Sequence, residues 1–280
     1  MAGTSMKDIK LRIRSVESTR QITKAMQLVA TSKLRRAKER MENSKPYAAI
    51  AHEAVTAAAR SCTEQDTPFV AAHPDGRRCY VIIAGERGLA GGYNSNVFKA
   101  VAAHCGGVPA FVLPIGRKAV EKYQREGAQL LSNRYSRVEG LGVGACYRLA
   151  NELIEGFLSG QYSEIFLACT SFHSMMAQEA MIEQLLPVER PGQDGAPACT
   201  IYEPGAAETL RRIMPDFIAG RIYSALCDSF ASEVAARRTA MDAATKNADA
   251  MISDLTLKYN RARQGAITQE ITEIVAGAEE

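Results

Sequence analysis

The residues best placed for chemistry are the glycines of ERGLAGGYNSN, Glu86 to Asn96, which follow the apolar run CYVIIAG and precede a helical pattern. Glycines between a strand and a helix let backbone amides reach an anion at the helix N-terminus, so the stretch raises the question of a nucleotide. A phosphate loop needs G-x-x-x-x-G-K-[ST]. Here Gly85, Gly88, Gly91 and Gly92 never stand five apart, and no lysine follows in place. The dinucleotide pattern G-x-G-x-x-G is absent there too. A degenerate match, Gly140-Leu-Gly142-Val-Gly-Ala145, opens a helix, but the preceding SNRYSRVE is too polar for the strand that pattern requires. Both stretches read as turns: a tight turn with close helix–strand packing at the first, a flexible loop and helix start at the second.

Other catalytic constellations are missing. No G-x-S-x-G or H-E-x-x-H occurs, and no cysteine–histidine pair has the spacing of a known nucleophile set. The four histidines (His52, His73, His104, His173) are scattered without metal-ligand spacing. The seven cysteines (Cys62, Cys79, Cys105, Cys146, Cys169, Cys199, Cys227) form no C-x-x-C, and several lie inside apolar runs. They read as small hydrophobes in a reducing compartment, with no disulfide framework.

Charge is unevenly placed. The chain carries +3, but Lys7 to Lys45 holds twelve basic and four acidic side chains. A basic amino-terminal segment on a near-neutral body suggests an acidic partner. The segment lacks the interleaved aromatics of a single-strand nucleic-acid binder and the apolar anchors of a membrane-surface helix. No signal-peptide h-region and no apolar run approaching the ~20 residues of a membrane span is present, so any membrane attachment runs through partners.

The elements that must carry these residues fall into three segments. From Ser5 to about Met41 there is neither Pro nor Gly. Ile9, Ile13 and Val16 step by four and three, as do Ala30, Leu34, Ala37 and Met41 in the same frame, while Arg20, Thr23 and Gln27 interrupt it. Ile22, Met26 and Val29, one place earlier, suggest a seam that drifts around the helix or faces different partners. Pro46 should kink or interrupt the helix before YAAIAHEAVTAAAR resumes it. After a polar linker, short apolar runs (79–85, 110–116, 164–170, and weaker ones at 128–135 and 179–188) alternate with helical patterns, which implies a mainly parallel sheet. From Asp216 to about Val275 no proline occurs, and Met241, Thr245, Ala248, Ile252, Leu255, Tyr259, Ala262 and Ala266 keep a coiled-coil spacing. Beyond them the seam shifts to Ile267, Ile271 and Ile274. Sixty helical residues reach ~90 Å, more than a domain with a radius of gyration of roughly 14 Å can cover. The predicted fold is therefore α/β: an antiparallel coiled coil of the long N- and C-terminal helices plus a Rossmann-like α/β domain. The segments are 1–61 (N-terminal shaft helix), 62–210 (globular domain) and 211–280 (C-terminal shaft helix).

Three stretches together are specific. MKDIKLRIRSVESTRQITKAMQLVATSKLRRA resembles the amino-terminal helix of the gamma subunit of F-type ATP synthases, ERGLAGGYNSNVF the loop after that family's first strand, and NRARQGAITQEITEIVAGA its carboxy-terminal signature. The resemblance covers nearly the whole chain. It implies a central-stalk rotor turning inside a ring of three α and three β subunits, with its α/β domain against the epsilon subunit and the c-ring. No cofactor is expected on this chain, because ATP, ADP and magnesium are bound by the ring. Carried over by motif, Arg263 and Gln264 match contacts with a loop on β, and Thr268, Gln269 and Glu270 lie just beyond, towards the shaft tip. Met26 matches a position facing a mobile acidic segment of β, and Lys33, Arg35 and Arg36 are the cations nearby, assigned by charge alone. Tyr202 and Glu203 match the foot near the c-ring and epsilon. There is no inserted cysteine pair of the chloroplast type, so thiol control is not expected. The implied location is the cytoplasmic face of a bacterial plasma membrane, or a processed organellar chain. The competing reading is a free α/β nucleotide-binding enzyme with a coiled-coil arm.

Overall fold

A computed structural model describes residues 6–63, 65–71, 77–138, 140–190 and 200–278, with side chains to residue 274. The chain divides into two compact units: residues 32–237, and the chain ends up to Thr31 together with those from Arg238 on. Helix α1 spans Met6–Arg60 and helix α5 spans Ala206–Ala278, so each contributes to both units.

In the larger unit five strands form one sheet: β1 (Arg77–Ile83), β2 (Phe111–Ile115), β3 (Gln129–Leu130), β4 (Tyr162–Phe172) and β5 (Gln178–Leu186). Their order is β3-β2-β1-β4-β5, with all neighbours parallel except β4 and β5. The third strand is only two residues of the apolar run that suggested it. Helices α2 (Tyr93–Cys105), α3 (Arg117–Arg125) and α4 (Val143–Leu158) connect the parallel strands. The period of two along β1 separates the cores. Tyr80 and Ile82 face α2 and α3, while Cys79, Val81 and Ile83 face α4 and the α1 and α5 segments of this unit. Because both faces are covered, β1 and β2 are apolar almost throughout. Chain order reverses between β1 and β4: the first three strands build outward from β1 on one side, and β4 is added on the other.

One glycine is obligatory here. Gly116 has φ +96°, and a Cβ there would lie 2.0 Å from the Ala84 carbonyl oxygen, so only glycine allows β1 and the start of α3 to approach this closely.

Pro46 does not interrupt α1, and Pro215 lies inside α5 in the same way. Each proline removes one backbone donor, and the carbonyls left without it, those of Glu42 and Arg211, belong to exposed residues where water can serve them.

In the unit of the chain ends, α1 and α5 run antiparallel. Arg20 pairs with Asp249 at 3.2 Å, the Thr23 and Thr245 hydroxyls meet at 2.9 Å, and Gln27 donates to Asp242 at 2.7 Å. Each advance along α1 is matched by a retreat along α5. The expected drift of the seam is not found. Ile22 and Val29 are each 57% exposed and only Met26 between them is half-buried, whereas Thr23 is buried, Gln27 half-buried and Ala30 buried in the original frame. Thr23 and the Gln27 amide nitrogen stay inside because each finds a polar partner on α5, which lowers the cost of burying them, although the Gln27 Oε1 is buried without a hydrogen bond. On α5 the predicted spacing holds: Met241, Thr245 and Ala248 are buried, and Ile252, Leu255, Tyr259, Ala262 and Ala266 half-buried.

Candidate partner-binding surface

The register sets where pairing ends. Continued to Met6, it reaches the neighbourhood of Arg263 on α5, so the helix beyond has no counterpart among the described residues of α1. There Ile267, Ile271 and Ile274, at steps of four and three, are 47%, 57% and 72% exposed. The expected shift of the seam to these isoleucines is real as a pattern, but among the described residues no side chain covers it.

The residues named at the tip lie around this stripe. Arg263, Gln264, Thr268, Gln269 and Glu270 are all exposed. The hydroxyl of Thr268 donates to the Gln264 carbonyl at 2.9 Å, and Gln269 donates to Glu273 at 2.9 Å. These local bonds fix side chains on the helix without drawing them into a core, which leaves a mixed apolar and hydrogen-bonding surface. Met26 is half-buried on the flank of the α1 seam.

In the larger unit, Lys33, Arg35 and Arg36 are exposed on α1. Further along, Arg40 donates to the Tyr223 hydroxyl at 3.0 Å and to the Leu141 carbonyl at 3.2 Å, with its guanidinium 5.2 Å from the Tyr223 ring centre. That arginine is committed to holding α1 against α5 and the α4 approach. Tyr202 is half-buried against the α4-side core, while Glu203 beside it is exposed.

The glycine loop after β1 binds this chain's own α5. Gly85 donates its amide to Asn94 at 2.8 Å, and Glu86 accepts from the Val138 amide at 2.8 Å. Tyr93 and Ser229 share a buried hydrogen bond of 2.7 Å. Burial first, and then the Glu233 carboxylate, push the Tyr93 phenol above its ordinary range. Arg237 pairs with Glu233 at 2.6 Å and reaches the Gly88 carbonyl at 3.4 Å. Sequence reading missed Ser229, Glu233 and Arg237, because on a long helix an i,i+4 acid–base pair reads as a solvated face. At the second glycine stretch, Gly142 caps α4 and no strand immediately precedes it among the described residues.

Burial also pushes the thiols up: Cys146 and Cys169 each to about 12, and Cys79 further. All three are buried, as hydrophobic cysteines should be; Cys199 lies outside the described residues. Among the described residues no group of His, Cys, Asp and Glu could hold a metal, and no helix is long and apolar enough to cross a membrane.

An antiparallel helix pair in one unit and a doubly wound α/β domain in the other are the parts expected of a stalk subunit. The ATP synthase family profile matches residues 5–280. The chain is 44% identical to the ATP synthase gamma chain of Ruminococcus albus, covering 96% of each, and 41% identical to that of Lachnoclostridium phytofermentans, covering 98% of each. In fold it is similar to a chain of the Euglena gracilis mitochondrial ATP synthase assembly of OSCP, F1 and c-ring, with TM-score 0.67 and 15% identity, over 98% of this chain and 93% of that one. It is also similar to a chain of the Tetrahymena thermophila mitochondrial central stalk and c-ring, with TM-score 0.56 and 20% identity, over 80% and 99%. The chain belongs to the ATP synthase gamma-chain family, the central-stalk subunits of the F-type enzyme.

Proposed function

We propose that this chain is the rotating shaft that couples proton flow through the membrane sector to ATP synthesis, and hydrolysis to pumping in reverse. The observation that carries the reading is the α5 tip: an exposed apolar stripe rimmed by Arg263, Gln264, Thr268, Gln269 and Glu270, with no side chain covering it among the described residues. Such a stripe needs a surrounding surface, which a ring of three α and three β subunits supplies. Below the tip, the polar contacts at Thr23, Gln27 and Arg20 suit a shaft whose two helices bind each other without presenting a continuous greasy face to a sleeve.

In this reading Arg263 and Gln264 meet a loop on β, with Thr268, Gln269 and Glu270 beyond them. Met26, with Lys33, Arg35 and Arg36 further along α1, faces an acidic segment of β. Tyr202 and Glu203 contribute to the foot against epsilon and the c-ring. ATP, ADP and magnesium belong to the ring, and this chain carries no cofactor and no catalytic residue. The assembled enzyme places it at the cytoplasmic face of a bacterial plasma membrane, held there through partners, without nucleic acid.

The test is a complex reconstituted with the chain lacking residues 260–280, measured for ATP hydrolysis and for ATP-driven proton pumping. The expected result is reduced torque or fewer protons pumped per ATP. Unchanged coupling removes the tip from the mechanism. Nucleotide titration of the isolated chain separates the enzyme alternative, since stoichiometric tight ATP binding would contradict a purely mechanical role.

A further inference from the structure

The place in a doubly wound sheet where a ligand ordinarily binds lies outside the C-terminal ends of the strands flanking the reversal of chain order. Here those strands are β1 and β4, and the glycine loop leaves the end of β1. Pairing puts Ile82 opposite Ala168, so Thr170 on β4 stands level with the start of that loop. Helix α5 crosses this position and engages both sides of it. Ser229 shares its hydroxyl contact with Tyr93 at 2.7 Å and accepts from the Thr170 amide at 3.4 Å, and Ser232 donates to the Thr170 carbonyl at 3.4 Å. Glu233 is buried beside them. It is 5% exposed, and a Cβ placed on Gly85 would come 2.9 Å from its Oε1. Arg237, its partner at 2.6 Å, extends over the loop to the Gly88 carbonyl.

We propose that this crevice is an intramolecular docking socket: α5 closes it, and the Glu233 carboxylate, held by Arg237 against Gly85, takes the position that the anion of a bound ligand would take. Three features point the same way. The loop's first glycine gives the carboxylate room, as a close-approach glycine gives room to a phosphate. The occupying group is an anion with an arginine beside it, the pairing that anion sites use. The flanking hydroxyls of α5 bond the backbone of β4 and the first residue of α2, and Arg237 bonds the loop after β1, so the helix is fastened on both sides of the crevice and not merely laid across it. Glu233 is thus a positioning residue that fastens the α/β sheet to the shaft helix, and the glycine-loop sequence serves this joint. The inference does not depend on the rotor reading, because the isolated chain tests it.

The experiment is chemical rescue in the full chain. Glu233→Ala removes the anion and leaves Arg237 beside an anion-sized space, whereas Glu233→Gln removes the charge but fills the space. Melting is followed as formate, and separately inorganic phosphate, replaces chloride at constant ionic strength. The expected result is a Tm rise of roughly 3–5 °C for Glu233→Ala, with shifts of less than about a degree for the wild type, Glu233→Gln and Ser229→Ala. Equal response of all four proteins, or no response of Glu233→Ala, overturns the proposal. If Glu233→Ala does not fold, Arg237→Ala is the mirror test. Low-millimolar guanidinium should then raise its Tm but not that of the wild type, and failure to do so overturns the proposal equally.

Discussion

The exposed stripe on α5 can be tested by changing its three isoleucines to glutamine, singly and together. Full burial of an isoleucine side chain stabilises by about 1.5–3 kcal/mol. Ile267, Ile271 and Ile274 retain 47%, 57% and 72% exposure, so roughly half of that is unrealised in the chain alone. If the α and β subunits bury the stripe, each residue contributes about 1 kcal/mol to assembly and the three together about 3 kcal/mol, on the order of 100-fold in the dissociation constant. Glutamine keeps the helix, because its intrinsic preference is at least as good as that of isoleucine. The assay is twofold: melting of the isolated chain, and its affinity for a reconstituted ring of three α and three β subunits. The isolated chain should change by no more than about 0.5 kcal/mol, the ordinary range for exposed positions, while the triple variant binds the ring about 100-fold more weakly. A large loss of melting temperature in the isolated chain would show the stripe buried within it. An unchanged affinity would show that no partner covers it. Either result refutes the argument that carries the rotor proposal.

Other expectations rest on single contacts. The Thr23 and Thr245 hydroxyls touch each other at 2.9 Å while each also lies within bonding distance of its own helix's carbonyl, at 3.0 and 2.8 Å. Two protons cannot serve three contacts, so Thr23→Val and Thr245→Val should each cost about 1 kcal/mol and the pair together no more than one of them; a thermal double-mutant cycle that adds up would exclude the coupling. Gly116→Ala must place a methyl 2.0 Å from the Ala84 carbonyl at φ +96° and should cost more than about 3 kcal/mol, read as loss of soluble, cooperatively melting chain. Asp242 is held below its ordinary 3.8, first by Lys246, with burial opposing and Gln27 helping. Its folded value is depressed, so its contribution is complete above the unfolded value and disappears as pH falls through the folded one. Asp242→Asn should therefore flatten the stability profile below about pH 4 and leave neutral pH dependence unchanged. Because burial holds the thiols of Cys146 and Cys169 up at about 12, and that of Cys79 higher still, they should label with a thiol reagent at pH 8 only after unfolding.

Periodicity made the long elements legible. The α5 seam from Met241 to Ala266 is buried or half-buried at every predicted position, and the strand at Cys79 lies where its apolar run placed it. What periodicity could not show was partner chemistry. Thr23 and Gln27 broke an apolar frame, so Ile22 and Val29 looked like the better seam; the identity of the residues opposite, Thr245 and Asp242, decides the matter, and those lie more than two hundred residues away. Pro46 was read from its local cost alone. That cost is a lost backbone donor and a ring set against the Glu42 carbonyl, and the helix continues through it with Met41 and Ala48 buried on either side.

The glycine loop shows why fold-level signals divide from function. Its position after the first strand of a doubly wound sheet is the position of a nucleotide loop, and its glycine spacing is wrong for one. Both observations follow from a single arrangement. A backbone approached by Glu233 is crowded at 85, where a Cβ would come 2.9 Å from the carboxylate, but it needs no lysine, because Arg237 comes in on the same helix as the carboxylate. An anion delivered covalently cannot diffuse away. The effective concentration is set by the chain, so the site can dispense with the full set of amides and cations that a free ligand requires. A shaft that carries load through its attached domain gains from this, since a joint made by a dissociable ligand would loosen whenever the ligand left.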